Sequence, residues 1–146
     1  MNEPTIFEHL GGAAALRRLA EAHYRRCLTD PILIPIFGTE GRPDHAHHLA
    51  AWLGEVFGGP DVYTRQFGGH GGLLRHHANL AITEAQRQRF VEIFMIAADE
   101  AGLPSDDRFR RRFREYIEWG SRIAVDISQP GADVTSNELV PRWGWE

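Results

Sequence analysis

The sequence lacks the features that mark several large classes of protein. It holds one cysteine, Cys27, so no disulfide can form within the chain. No stretch approaches the ~20 consecutive apolar residues that a membrane-spanning helix needs. Sixteen Lys and Arg residues stand against 20 Asp and Glu, and the net charge of −4 offers no basic surface to nucleic acid or anionic lipid. We therefore expect no nucleic-acid partner and no membrane partner.

What remains is the composition of an ordinary globular domain. With 146 residues, of which 42% are hydrophobic, the range 1–146 fits a single domain. A chain of this length buries roughly 70% of its unfolded surface, which is enough to enclose a cofactor. The acidic start, 1–4, is followed by no long apolar run, which predicts a cytoplasmic protein without a signal peptide. We expect it to be a monomer or a homodimer.

Apolar residues recur at steps of three and four along almost the whole chain, which predicts an all-α fold. Glycine and proline separate the runs that have this spacing, and the predicted N-caps are Asp44, Thr83 with Gln86 in a capping box, and Asp106. The glycine-rich stretch 61–72 is predicted to be a loop, and 128–146 an irregular tail held on the domain by Trp143 and Trp145. The predicted helices are 13–29, 44–57, 73–80, 83–101 and 106–127.

Histidine is unusually frequent, with eight residues, and neutral imidazole is the commonest metal ligand in proteins. Di-iron helical bundles need Glu three residues before His, and many zinc proteases need His-Glu-x-x-His. Neither pattern occurs in the sequence. His45 and His48 share a helix face, so a surface zinc site at these two residues stays open as an alternative.

The adjacent pair His76 and His77 lies in the shortest predicted helix. Neighbouring helical residues point about 100° apart, so only one of the two can face the interior. His77 shares its face with Leu73 and Leu80, whereas His76 lies with Arg75 on the other side. An inward imidazole in apolar surroundings suits the proximal ligand of a haem, and the Leu73 carbonyl would accept its other N–H. A buried core histidine without any ligand is the alternative at this point.

Several segments together resemble the group II truncated haemoglobins, and the resemblance covers nearly the whole chain. The segment around His77 is similar to the proximal segment of that group, and Tyr24 in the first long helix matches its distal tyrosine. The resemblance implies a 2-on-2 helical sandwich around one haem b. The segments that carry it are 30–31, 52–60, 75–83, 103–106, 116–122 and 141–145, with Tyr24 and Tyr63.

Carried over by position, the resemblance assigns residues to both sides of the haem. His77 matches the proximal iron ligand, and Tyr24 matches the tyrosine whose hydroxyl donates a hydrogen bond to bound O2. Phe37 matches the aromatic residue that wedges the haem. His45 and Leu49 match the two positions of the distal helix that face the iron.

One position departs from the pattern of the group. Phe90 stands where the group nearly always has Trp, so a second hydrogen-bond donor to the ligand is lost. We expect Tyr24, helped by His45, to supply this stabilisation. The remaining predicted haem contacts are Phe57, Leu73, Phe94 and Ile123, with Tyr63, Arg75 and His76 nearest the haem carboxylates.

The resemblance implies binding of O2, CO, NO or related small ligands as the leading function. The alternative is redox catalysis, either oxidation of nitric oxide to nitrate or peroxide-driven oxidation. Oxidation of nitric oxide would need a separate reductase, because the chain has no flavin or nicotinamide domain. For peroxide chemistry, only His45 could act as the acid–base group over the iron. A haem-free helical adaptor is the third hypothesis.

Overall fold

Residues 3–69, 77, 79–132 and 139–146 are described in the computed structural model of the protein. Every regular element in these ranges is helical, and they contain no strand, which confirms the predicted all-α class. None of their helices is long and apolar enough to cross a membrane. The α-helices are α1 Ile6–Leu10, α2 Gly12–Cys27, α3 Ile34–Phe37, α4 His45–Val56, α5 Val62–Gln66, α6 Glu84–Glu100 and α7 Asp107–Ile127.

The short first helix, α1, is not among the predicted helices, which begin at residue 13. A capping box fixes its start: the Glu8 N–H donates to Thr5 Oγ1 at 3.1 Å, and the Thr5 N–H donates to Glu8 Oε1 at 3.0 Å. Gly11 then adopts φ +113°, a left-handed conformation that ends α1 and starts α2. The spacing of Thr5 and Glu8 in the sequence is the signal that would have found this helix.

The helix caps were predicted from single residues, with mixed success. The capping box of Thr83 and Gln86 at the start of α6 is confirmed, and the Asp106 side chain accepts a backbone N–H of the first turn of α7. The prediction that Asp44 caps α4 is wrong, because its side chain accepts no N–H of that helix. Capping needs an extended backbone, whereas Asp44 has φ −95° and ψ −7°.

The glycine-rich stretch 61–72 was predicted to be a loop, and its first part instead forms α5. Tertiary contacts support this short helix. The Tyr63 side chain is buried, and the Thr64 N–H donates to Glu55 Oε1 at 2.8 Å. Glu55 is only 2% exposed, so the bond satisfies a carboxylate that burial would otherwise destabilise. Contacts of this kind leave no periodic signal in a five-residue segment.

Two helix pairs form the body of the molecule. Helix α2 packs against α4 and also against α6, and α6 packs against α7. The pair α2 and α4 therefore faces the pair α6 and α7, which is the two-on-two arrangement that the resemblance implies. Interdigitated side chains between the pairs form the apolar core. Its fully buried members include Leu16, Leu19, Leu53, Phe57, Phe94, Phe109 and Phe113.

The described part of the tail, 139–146, lies on the end of α4 and on α7. The backbone N–H of Trp143 donates to the carbonyl of Val56 at 2.7 Å, and the Trp143 indole packs under the Arg112 guanidinium at 4.2 Å. The Trp145 indole N–H donates to the carbonyl of Pro4 at 2.9 Å. These contacts bury apolar area that two free indoles would expose.

Candidate functional site

A cavity of about 480 Å³ lies between the two helix pairs. This volume falls in the range of small-molecule and cofactor sites. One wall, which we call the tyrosine wall, comes from α2, α3, α4 and the segment between α3 and α4. The opposite wall, which we call the His77 wall, comes from His77, Leu80 and Ile82 and from helices α6 and α7. The described lining residues are Tyr24, Leu33, Ile36, Phe37, Arg42, Asp44, His45, His48, Leu49, Trp52, Tyr63, His77, Leu80, Ile82, Gln86, Arg87, Phe90, Ser121 and Ala124.

The Tyr24 hydroxyl is held in place on the tyrosine wall. It accepts the backbone N–H of Arg42 at 3.0 Å. Because this bond uses a lone pair of the oxygen, the hydroxyl proton stays available, and no described residue accepts it. Tyr24 therefore offers a fixed hydrogen-bond donor to an acceptor inside the cavity.

The imidazole of His45 covers the ring of Tyr24. The two rings stack with centroids 4.0 Å apart and planes 20° apart, and Phe37 meets His45 edge-on at 5.8 Å. Burial, followed by the charges of Arg42 and His48, lowers the pKa of His45 to about 4. The imidazole is thus neutral at pH 7, and it forms no hydrogen bond within the described residues. It can donate a hydrogen bond into the cavity or accept one there.

His77 lines the opposite wall, at the start of a segment that is tied to α7. The Ala81 N–H donates to the Ser128 carbonyl at 2.7 Å, and the Ile82 N–H donates to Ser128 Oγ at 2.9 Å. Asn79 and Ala81 have φ of +63° and +51°, a region that side-chain-bearing residues rarely occupy. Such strain persists only where surrounding contacts enforce it, and it concentrates at functional sites. The structure therefore fixes the backbone next to His77 firmly.

A buried cation, Arg87, also lies on the His77 wall. Its Nε and Nη2 donate to the Glu84 carboxylate at 2.9 and 2.6 Å, and its Nη1 lies 3.5 Å from Ser121 Oγ. The guanidinium of Arg87 in turn keeps the pKa of Glu84 below its usual value. The spacing of Glu84 and Arg87 predicts a helical ion pair. It gives no sign that the cation borders a cavity, and the sequence analysis missed this residue.

Phe90 closes the cavity between the two walls. Its ring is parallel to that of Phe37, with centroids 6.3 Å apart and planes 4° apart. Behind it lies His23, which is fully buried, stacks on Phe94 at 3.6 Å and bonds to the carbonyl of Phe90. Burial lowers the pKa of His23 to about 3, so this imidazole is neutral. His23 is not among the site residues predicted from the sequence.

The predicted haem contacts divide into three sets in the structure. Seven of them line the cavity, whereas Phe57, Phe94 and Ile123 do not. Phe57 packs in the core against Phe113, Phe94 lies behind Phe90, and Ile123 is half-buried on α7. For these three residues contact with a haem stays a prediction, because helical spacing identifies a buried face without saying what it faces. Leu73, Arg75 and His76 lie outside the described residues. The seven in the lining are Tyr24, Phe37, His45, Leu49, Tyr63, His77 and Phe90.

The surface zinc site at His45 and His48 gains no support. The described residues contain no group of three or more His, Cys, Asp or Glu side chains that could hold a metal ion. His48 Nε2 instead lies 3.7 Å from a carboxylate oxygen of Asp44. A haem site needs only one imidazole from the protein, because the porphyrin supplies the other iron ligands, and His77 on the wall opposite His45 and His48 fits that need.

The chain belongs to the bacterial-like globins, whose family model matches residues 5–117. The group 1 truncated hemoglobin GlbN of Nostoc sp. (strain MUN 8820) is 33% identical over 103 residues, which cover 70% of this chain and 83% of the relative. The group 2 truncated hemoglobin YjbI of Bacillus subtilis (strain 168) is 29% identical over 97 residues, covering 66% of this chain and 72% of the relative. The resemblance to truncated haemoglobins is therefore confirmed.

Solved structures show the same fold. The group II truncated hemoglobin of Bacillus anthracis has a TM-score of 0.76 over 90% of this chain and 96% of its own. Its sequence identity of 24% makes this a likeness of fold alone. The truncated oxygen-avid haemoglobin of Bacillus subtilis has a TM-score of 0.72 and 26% identity, covering 84% of this chain and 99% of its own. The predicted 2-on-2 globin sandwich is confirmed.

Proposed function

We propose that the protein is a haem-binding globin in which His77 holds the iron of one haem b. The observation that carries the proposal is the cavity itself, with His77 on one wall and the fixed Tyr24 hydroxyl on the other. Leu49 and Phe90 offer apolar surface to a flat ring. Bound there, haem b would supply an iron that binds the His77 imidazole and a small ligand.

The chain's own residues would discriminate among ligands on the tyrosine wall. The Tyr24 proton can bond to a partly anionic diatomic ligand such as O2, and charge-assisted bonds of this kind are worth about 1.5–3 kcal/mol. His45, beside Tyr24, adds a second neutral donor. Phe90 adds bulk without a donor. We infer that O2 is favoured over ligands that carry less negative charge, a proposal supported by the oxygen-avid relative from Bacillus subtilis.

The outer edge of the cavity suits the carboxylates of a haem. Arg42 and His48 line it, and Arg42 is exposed, so both can meet an anionic group near solvent. Tyr63 also lines the cavity and keeps its predicted role there. Arg75 and His76 stay predictions for the same role, since they lie outside the described residues.

Redox catalysis is the second candidate, and His45 is the observation that favours it. A neutral imidazole in the cavity can move a proton during peroxide chemistry or hydrogen-bond a reacting ligand. Oxidation of nitric oxide to nitrate by O2 consumes one electron per turnover, which a separate reductase would have to supply. Reversible ligand binding needs no such partner in each cycle, and we place it first.

The test of haem ligation is an absorption spectrum of the purified protein in the ferric, dithionite-reduced and CO-bound forms. We expect a sharp Soret band that shifts at each step. His77→Gly should alter or abolish it, and free imidazole should restore the wild-type band by taking the place of the missing side chain. The matched control is His47→Gly on the exposed side of α4, which should leave the spectrum unchanged.

A protein that stays colourless after addition of haemin would contradict the proposal and favour the haem-free adaptor. A His77→Gly spectrum identical to that of the wild type would show that another residue holds the iron.

A further inference from the structure

The cavity has a buried positive charge that ligand binding does not use. Arg87 is 8% exposed and lies on the same wall as His77. The apolar faces of a porphyrin need no guanidinium, the haem carboxylates are assigned above to Arg42 and His48, and burying a cation costs free energy unless it is paired. Glu84 and Ser121 supply that pairing. The Arg87 charge is therefore held in place beside the cavity, and its bonds to Glu84 and Ser121 offset the free energy lost on burial.

The opposite charges of Arg87 and Glu84 do not cancel each other inside the cavity. The Arg87 side chain is 9% exposed, whereas that of Glu84 is 53% exposed and is absent from the cavity lining. Water screens the carboxylate far more than the guanidinium, because a charge at the surface interacts through a high dielectric. The cavity side of the pair thus carries a net positive potential.

The His77 wall is a connected unit. His77 begins the segment that Ser128 ties to the end of α7, and Ser121 on the same helix contacts Arg87. These contacts keep Arg87 in a fixed position relative to the segment that carries His77. A fixed charge shifts an electron-transfer equilibrium in a defined direction, whereas a mobile surface charge is largely screened.

We propose that Arg87, oriented by Glu84, raises the reduction potential of the haem iron and so favours the ferrous form that binds O2. The proposal rests on the proposed function, since it requires a haem on His77. Reduction adds one electron to the ferric iron and lowers the charge of the site by one. A neighbouring cation stabilises the less positive, ferrous form. Arg87 acts here as a positioned charge and does not contact the ligand.

The test is a spectroelectrochemical titration of the haem-loaded protein and its variants. Arg87→Met should lower the midpoint potential, with the ferrous-to-ferric ratio at fixed potential falling about threefold to tenfold. Arg87→Lys keeps the charge and should stay close to the wild type. Glu84→Gln removes the opposing carboxylate at an exposed site and should shift the potential upward. The matched control Arg17→Met breaks an exposed pair with Glu21 and should change nothing.

Opposite shifts in Arg87→Met and Glu84→Gln support the proposal, since a purely structural role would not reverse its sign. If Arg87→Met fails to fold, the upward shift in Glu84→Gln with a wild-type value in Arg87→Lys carries the same support. Unchanged potentials in a protein that keeps its haem on His77 would overturn this inference alone. Loss of haem from the wild type would overturn the proposed function instead.

Discussion

At the scale of single residues, we propose that the Tyr24 hydroxyl decides how long a ligand stays in the cavity. It is anchored by the Arg42 N–H, so its proton points to a fixed place without rearrangement when a ligand arrives. The position at which the group has Trp is Phe90 here, and no donor of that kind shares the task.

Tyr24→Phe should therefore accelerate O2 dissociation at least tenfold, as expected for the loss of about 1.5–3 kcal/mol. Stopped-flow displacement of O2 by CO measures the rate. Tyr116→Phe is the matched control, because Tyr116 does not line the cavity and its hydroxyl accepts the indole N–H of Trp52 instead of facing a ligand. An unchanged rate in Tyr24→Phe would exclude this role for the hydroxyl and leave His45 as the donor.

His23 makes stability depend on pH. Its pKa is about 3 in the folded protein and 6.5 in the unfolded chain. Above pH 6.5 both states are neutral at this residue. Below it the unfolded chain takes up a proton that the folded protein refuses, so stability falls with pH between 6.5 and about 3.

We expect the free energy of unfolding to fall by up to about 1.4 kcal/mol per pH unit more in the wild type than in His23→Phe. Urea unfolding of both proteins between pH 7 and 5 measures the difference, and the other histidines contribute equally to both. Parallel pH profiles would show that His23 is protonated without cost in the fold.

At the scale of elements, the site depends on the hydrogen bonds that link the His77 segment to the end of α7. Ser128 is fully buried, and its hydroxyl accepts the Ile82 N–H and donates to the Val125 carbonyl. The strained φ of Ala81 depends on this anchorage. A weaker anchor would let the segment relax and would move His77.

Ser128→Ala should lower the free energy of unfolding by about 0.5–1.5 kcal/mol, because it removes the acceptor of the partly buried Ile82 N–H. It should also accelerate transfer of haem to an excess of a scavenging apoprotein. Chemical denaturation and the transfer rate measure the two effects. Ser105→Ala, at an exposed position, is the control. Stability loss without faster haem loss would separate the anchor from the site.

Prediction from sequence succeeded where a helix has its own periodic face. Helices α2, α4, α6 and α7 lie close to the predicted ranges, because each repeats apolar residues over three turns or more. Helices α1, α3 and α5 have four or five residues, too few for a period. Local capping or tertiary bonds decide their existence, and only the capping box of α1 was visible in the sequence.

Some residues of the candidate site were predicted from the sequence, and others were not. His77 was predicted from its helix face and then from the family resemblance, whereas Tyr24 and His45 were assigned through the resemblance, and all three line one cavity. Arg87 and Ser121 come from different helices and meet only after folding. No pattern along the chain predicts such a meeting, because contact between distant segments is set by how the helices pack.

At the scale of the whole molecule, the helix pairs separate two tasks. The tyrosine wall carries hydrogen-bond donors for a ligand, whereas the His77 wall carries the candidate iron ligand and the buried Arg87 charge. We therefore expect variants on the tyrosine wall to change the rate of ligand release. Variants on the His77 wall should change the reduction potential of the iron. The contact between α2 and α6 joins the walls at Phe90 and His23.

The bond between Trp145 and Pro4 has a topological consequence. It brings the first and last described segments side by side, and neither segment lines the cavity. The described residues 3–10 and 139–146 therefore meet at a place that lies away from the cavity. What the cavity depends on is which helices are neighbours, and the order in which the chain visits them matters much less.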